Sequence, residues 1–275
     1  PVNFGNMRNT GFEFSLSSNV YNDEHINVNV GVNGITYKNK ITKLPEKFKE
    51  DGISSGWRIM KEGGGIYDYY MVKSAGVNPE NGEQLYWIWN DDNKQFEKVG
   101  GAKYDSGLKN RQYVGSSLPK LTGGFYVNAA AYGFDFSMQF AYRIGGKVYD
   151  ANYANLMSAG NPGTNWHMDI LNRWTPENKN TDVPRLQSST QILTQATDRF
   201  IIDGSYLCLN NLTLGYTLPK SLLNKVGIQG LRIYFAADNL GLWSKRKGLD
   251  PRVSLNGTQD VSVNSAVRAL SFGIN

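Results

Sequence analysis

Hydrophobic and polar residues alternate along most of this chain. In the clearest run Tyr132, Phe134, Phe136, Met138, Phe140 and Tyr142 share one face, with Gly133, Asp135, Ser137, Gln139 and Ala141 on the other. A period of two marks a strand, because successive side chains point to opposite faces. Phe12, Phe14 and Leu16 interleave with Glu13, Ser15 and Ser17, and Ile26, Val28, Val30 and Val32 with Asn27, Asn29, Gly31 and Asn33. Later, Leu231, Ile233, Phe235 and Ala237 repeat the pattern, as do Leu270, Phe272 and Ile274. The pattern predicts nine strands, near 11–18, 25–37, 66–74, 83–90, 122–130, 132–144, 205–217, 230–240 and 265–275. Only Lys220–Val226, after Pro219, reads as a helical turn or two.

The connections between these strands alternate in length. Short ones fall near 19–24, 75–82, 131 and 218–229, and long ones near 38–65, 91–121, 145–204 and 241–264. Outer-membrane barrels have this asymmetry, with short periplasmic turns and long extracellular loops, and their tilted strands need roughly 9–11 residues to cross. A soluble β-sandwich also alternates, but connections longer than about 12–15 residues are uncommon in compact domains. An antiparallel transmembrane barrel is therefore the expected fold. Nine is an odd count, whereas bacterial single-chain barrels have even numbers and an open edge in lipid costs several kcal/mol per unpaired backbone group. Further strands are expected outside these 275 residues.

Composition narrows the function classes. Net charge is +5, but only 19% of residues are charged, far from a polycationic nucleic-acid binder. No apolar stretch is long enough for a membrane helix, which leaves a barrel open. A single cysteine, Cys208, makes neither an intramolecular disulfide nor a cysteine-based zinc site, and His25 and His167 lie far apart. No catalytic residue, metal or cofactor is expected.

Four stretches carry a family resemblance. They are Gly5–Glu13 (GNMRNTGFE), Ala75–Gly82 (AGVNPENG), Arg173–Asn178 (RWTPEN) followed by Val183–Arg185 (VPR), and Asp203–Pro219 (DGSYLCLNNLTLGYTLP), continued by Ala237–Leu240 and Gly248–Pro251. Together they resemble the C-terminal part of the SusC/RagA family of TonB-dependent outer-membrane transporters, over essentially the whole chain. The resemblance implies that residues 1–275 form about the last nine strands of a plugged 22-stranded barrel, with the plug and amino-terminal domain upstream of Pro1. It also implies active import of oligosaccharides or oligopeptides, a SusD-like surface lipoprotein as partner, and energy from the TonB complex through the missing N-terminal part. The alternative is a surface β-rich carbohydrate-binding or adhesion module that transports nothing.

Candidate residues follow from this orientation. Trp57, Trp166, His167, Trp174 and Arg185 lie in long connections and are candidates for ligand or partner contact. Trp87, Trp89 and Trp243 sit near strand ends, where an amphipathic ring suits an interfacial girdle. Phe134, Phe136, Met138 and Phe140 form the expected lipid-facing stripe. Gly63–Gly65 lacks the features of a phosphate loop and reads as a flexible loop. Asn90–Lys94 reads as a solvated turn, and Cys208 as inert against lipid or the barrel wall. The basic Lys245–Lys247 run reads as surface charge.

Overall fold

Seven strands form one antiparallel sheet in chain order, six of them 11–18 residues long. They are β1 (Asn6–Asn22), β2 (Ile26–Lys43), β3 (Leu121–Ala131), β4 (Phe134–Ile144), β5 (Tyr206–Thr217), β6 (Arg232–Ser244) and β7 (Ala269–Ile274). This computed structural model describes residues 5–157, 163, 165–187, 196–245, 248, 250–252 and 265–275. Arg246 and Lys247 of the basic run lie outside the described residues.

Register converts the alternation of each strand into two continuous faces. One row crosses all seven strands as Tyr21, Val28, Ala129, Phe136, Leu214, Phe235 and Phe272. The row next to it runs Asn19, Asn29, Asn128, Ser137, Thr213, Ala236 and Ser271. The first row is apolar, and the second is polar at all but one position. A one-residue slip in any strand would exchange the two, so the hydrophobic pattern fixes the register. Aromatic pairs reinforce the apolar face, with ring centroids 4.6 Å apart for Phe125–Phe140 and 5.0 Å for Phe235–Phe272.

All the short connections lie at one end of the sheet. After β1, the Asp23 carboxylate accepts hydrogen bonds from the His25 and Ile26 amides at 2.8 and 2.7 Å. Between β3 and β4 the two-residue turn Tyr132–Gly133 has φ of 50° and 87°. Positive φ at both central positions matches the right-handed twist of the flanking strands, and glycine adopts it without steric cost. The third connection, from β5 to β6, contains the helical turn Lys220–Leu223.

The opposite end carries three long excursions, 44–120, 145–205 and 245–268. This corrects the expectation of nine strands in one sheet. Within 66–74 and 83–90, residues 68–74 and 84–90 are extended, but they do not join the seven. Asp68–Met71 pairs with Gln112–Ser116, and Gln84–Asn90 lies between Lys73–Val77 and Gln95–Gly100 in a separate three-stranded sheet. The 75–82 connection therefore links two strands within one excursion.

The buried core of the described residues lies in this region, not in the sheet. Tyr69 and Met71 of the first excursion pack with Tyr149, Ala154, Met157, Ile170, Val183 and Phe200 of the second. Lys147–Tyr149 pairs with Ile201–Asp203 and closes the base of the second excursion.

Candidate functional site

The polar face of the sheet is tied together by side-chain hydrogen bonds. Ser137 Oγ donates to Asn128 Oδ1 at 2.7 Å, and Asn211 Nδ2 to Asp238 Oδ1 at 2.8 Å. Near the short-turn end, Arg232 grips Asp135 with two bonds of 2.9 and 2.6 Å, its guanidinium carbon 4.9 Å from the Tyr234 ring centroid. A bidentate guanidinium–carboxylate pair fixes geometry as well as charge. The stripe of Phe134, Phe136, Met138 and Phe140 lies on the opposite face.

A register shift between Leu209 and Asn211 re-aims the upper part of β5, so that Leu207 and Leu209 join the apolar face and Cys208 the polar one. Cys208 is fully buried, and the covering group is not lipid. Arg252 Nη1 lies 2.9 Å from its sulfur and 3.0 Å from Asn239 Oδ1, while the other guanidinium nitrogens bind Asp250. Burial opposes ionisation of Asp250, but its hydrogen bonds from Arg252 outweigh it and hold the carboxyl below the usual range. The last excursion is thus latched onto β5 and β6.

The two larger excursions are clamped by buried polar groups. Arg199 Nη1 donates to Gln84 Oε1 at 3.2 Å, and the Gln84 amide nitrogen donates to Ser74 Oγ and the Gly76 carbonyl. The Ser74 amide donates to Asp198 at 2.8 Å, although burial raises that carboxyl above its ordinary range. Burial pushes the Tyr149 hydroxyl up to about 12 and raises Tyr69 and Tyr86 as well.

The candidates in the long connections take different positions. Trp57 is half-buried, its ring centroid 4.1 Å from that of Tyr149, and it lines a cavity of about 310 Å³ with Tyr70, Tyr104 and Arg111. Trp174 donates through Nε1 to the Pro79 carbonyl at 3.0 Å, and the Arg185 amide donates to Gly82 at 2.9 Å. These two residues bind the second excursion to the 78–82 turn. Gly82 has φ +74°, and a β-carbon there would meet the Trp174 ring at 2.5 Å. Trp166 is 41% exposed. Beside it His167 Nδ1 accepts from the Asp169 amide, and its ring lies edge-on to Tyr153 at 4.8 Å.

Trp87 and Trp89 lie on the three-stranded sheet of the first excursion, so the structure does not put them at the end of a main-sheet strand. Lys98 sits over the Trp87 ring at 5.2 Å, and Trp89 meets Phe96 edge-on at 5.3 Å. Trp243 does lie on the main sheet, 56% exposed at the long-connection end of β6. Gly63–Gly65 is pinned: Gly63 donates to the Ile41 carbonyl, Ile41 to Gly64, and Gly65 to Asp68. In the Asn90–Lys94 turn, Asn90 Oδ1 accepts from the Asp92 and Asn93 amides.

Sequence reasoning missed one feature. Tyr70, Trp89, Phe96 and Tyr113 line a cleft of about 440 Å³ with Lys109, Arg111 and Gln112. Its walls come from four separate extended segments, so no local period announces it.

No protein-family model matches the chain. The TonB-dependent receptor P3 of Formosa agariphila is 30% identical over 283 residues, covering 98% of this chain and 28% of that protein. The TonB-dependent receptor SusC of Bacteroides thetaiotaomicron is 27% identical over 289 residues, covering 98% and 26%. Among solved structures, the RagAB peptide transporter superposes with a TM-score of 0.83 at 29% identity, over 99% of this chain and 29% of that one. The chain spans less than a third of the length of each relative.

Proposed function

We infer that this chain, a member of the SusC/RagA family of TonB-dependent receptors, is a wall segment of an outer-membrane importer together with the body at its outward end. The observation that carries this reading is the pair of adjacent rows across all seven strands, one apolar and one polar. A wall between lipid and an aqueous passage needs those two faces and no helix. On this reading residues 1–275 are the C-terminal part of the barrel, the apolar face meets lipid in the Gram-negative outer membrane, and the polar face lines the lumen. The long excursions lie outside the cell, and Trp243 belongs to the aromatic girdle at that level. The protein performs translocation and no covalent chemistry.

The cargo is an oligosaccharide or an oligopeptide, delivered by a SusD-like surface lipoprotein and moved with energy from the TonB complex. SusC and a peptide transporter among the relatives support this machine in outline. The test uses cells that lack the intact receptor. They are expected to lose growth on an oligosaccharide or oligopeptide source, and purification of the receptor in detergent is expected to bring a surface lipoprotein with it. Growth equal to that of wild type on every such source, with a receptor that purifies alone, would contradict the reading.

A further inference from the structure

We propose that the aromatic cleft in the first excursion is a binding site for an acidic oligosaccharide, one that carries carboxylate or sulfate groups. The proposal rests on the import reading and narrows its cargo. Tyr70 and Arg111 form the partition between two cavities. The outer cleft of about 440 Å³ is lined also by Trp89, Phe96, Tyr113 and Lys109, and the inner one of about 310 Å³ by Trp57, Tyr104 and Ser106. The rings are held at an angle to one another, Tyr70 and Tyr113 at 58° with centroids 5.1 Å apart and Trp89 and Phe96 at 72°. In neither pair are the rings stacked face to face. Pyranose rings have an apolar face that packs on aromatic surfaces, and their hydroxyls suit the amide and guanidinium groups nearby.

Charge selects the class of sugar. Arg111 donates from Nε to the Ser106 carbonyl and from Nη1 to the Gly56 carbonyl and Ser54 Oγ, at 2.8, 2.7 and 3.4 Å. These acceptors are all neutral, so the guanidinium is held rigidly with its charge uncompensated by any close carboxylate among the described residues. Lys109 bonds Asp91 at 2.6 Å, and both groups are more than half exposed, so the pair is screened and readily exchanged. Asp105, the nearest other carboxylate in sequence, is turned toward Asn110 and the Gly107 amide. No carboxylate side chain lines either cavity. A rigid, unpaired cation beside several ring faces favours a ligand that is both anionic and ring-shaped.

The experiment uses the intact receptor in detergent and measures binding of tetragalacturonate, the neutral tetrasaccharide chitotetraose, and an acidic tetrapeptide. Tetragalacturonate is expected to bind, with an affinity that falls as salt rises. Arg111→Gln is expected to weaken it about tenfold. Tyr113→Ala, at a residue 47% exposed, is expected to weaken it several-fold, and Trp243→Ala to leave it unchanged. Equal binding of chitotetraose, binding of the peptide alone, or indifference of tetragalacturonate to Arg111→Gln and Tyr113→Ala would each overturn the proposal. If Arg111→Gln does not fold, Tyr113→Ala together with Lys109→Gln decides. Growth and lipoprotein co-purification are scored on the same strains. A cleft variant that keeps both while tetragalacturonate never binds removes this inference and leaves the import reading standing.

Discussion

The sheet and the body above it solve opposite packing problems with similar residues. In the sheet, large hydrophobics are left open even on inner strands: Phe134 is 54% exposed, Leu214 47% and Ile233 49%. In the excursions Tyr69, Tyr86 and Phe200 are at most 1% exposed. A water-soluble protein does not spread a contiguous apolar face across seven strands, whereas a wall facing hydrocarbon must. On the import reading the excursions stand in water and need a core of their own, which residues from both of the larger ones build together. On that reading the same chain meets two solvents, and the boundary between them runs across the long-connection end of the strands.

The largest effect that would break this contrast is expected in the body. Phe200→Ala should cost about 3–5 kcal/mol locally, from lost burial and the cavity it leaves. Proteolysis of the 44–120 and 145–205 excursions should accelerate while the heat-modifiable migration of the barrel on gels persists. If the barrel itself were lost, body and sheet would not be separable units. Next, Phe136→Arg should cost about 2–4 kcal/mol near the bilayer midplane, read as reduced insertion or a lower unfolding midpoint. Gln139→Arg, on the polar face, should cost far less, and equal costs would erase the two-solvent distinction.

A smaller effect sharpens the clamp between the excursions. Gly82→Ala adds a β-carbon against the Trp174 ring at a left-handed φ, and should cost roughly 1–3 kcal/mol. Trp174 fluorescence should shift to longer wavelength as the 78–82 contact loosens, and an unchanged spectrum would argue against the contact. The mildest test is alkaline. Burial raises the Tyr149 hydroxyl to about 12, so the folded body holds a proton that the unfolded chain releases near 10. The stabilisation is complete below about pH 10 and lost as pH rises toward 12. Tyrosinate absorbance should show a delayed fraction that ionises together with the opening of the body. Ionisation of every tyrosine near 10 would contradict that burial.

The sheet was largely legible because its signal is local. Tyr132–Tyr142 and Ile26–Val32 alternate strictly, and the Tyr132–Gly133 turn lies where the two strands meet. Alternation does not say which neighbour a strand pairs with, however. Leu85, Trp87 and Trp89 alternate like a girdle-bearing strand, yet their segment pairs inside the excursion and buries Gln84 and Tyr86 on the other face. A buried glutamine is stable there because Ser74, Gly76 and Arg199 satisfy it, and only tertiary contact reveals that. Of the two surroundings expected for Cys208, lipid is excluded for a related reason: the shift at Leu209–Asn211 reverses the faces midway along β5. The cleft was invisible because Tyr70, Trp89, Phe96 and Tyr113 meet only after two small sheets have formed.

The most direct test of the two-solvent account is accessibility along β4. In the intact receptor with its native cysteines replaced, Cys208 among them, and reconstituted in bilayers, single spin labels from Phe134 to Phe140 are probed with molecular oxygen and a water-soluble nickel chelate. Oxygen should dominate at Phe134, Phe136, Met138 and Phe140, and the chelate at Asp135, Ser137 and Gln139. Accessibility that changes smoothly along the strand, with no period of two, would contradict the account.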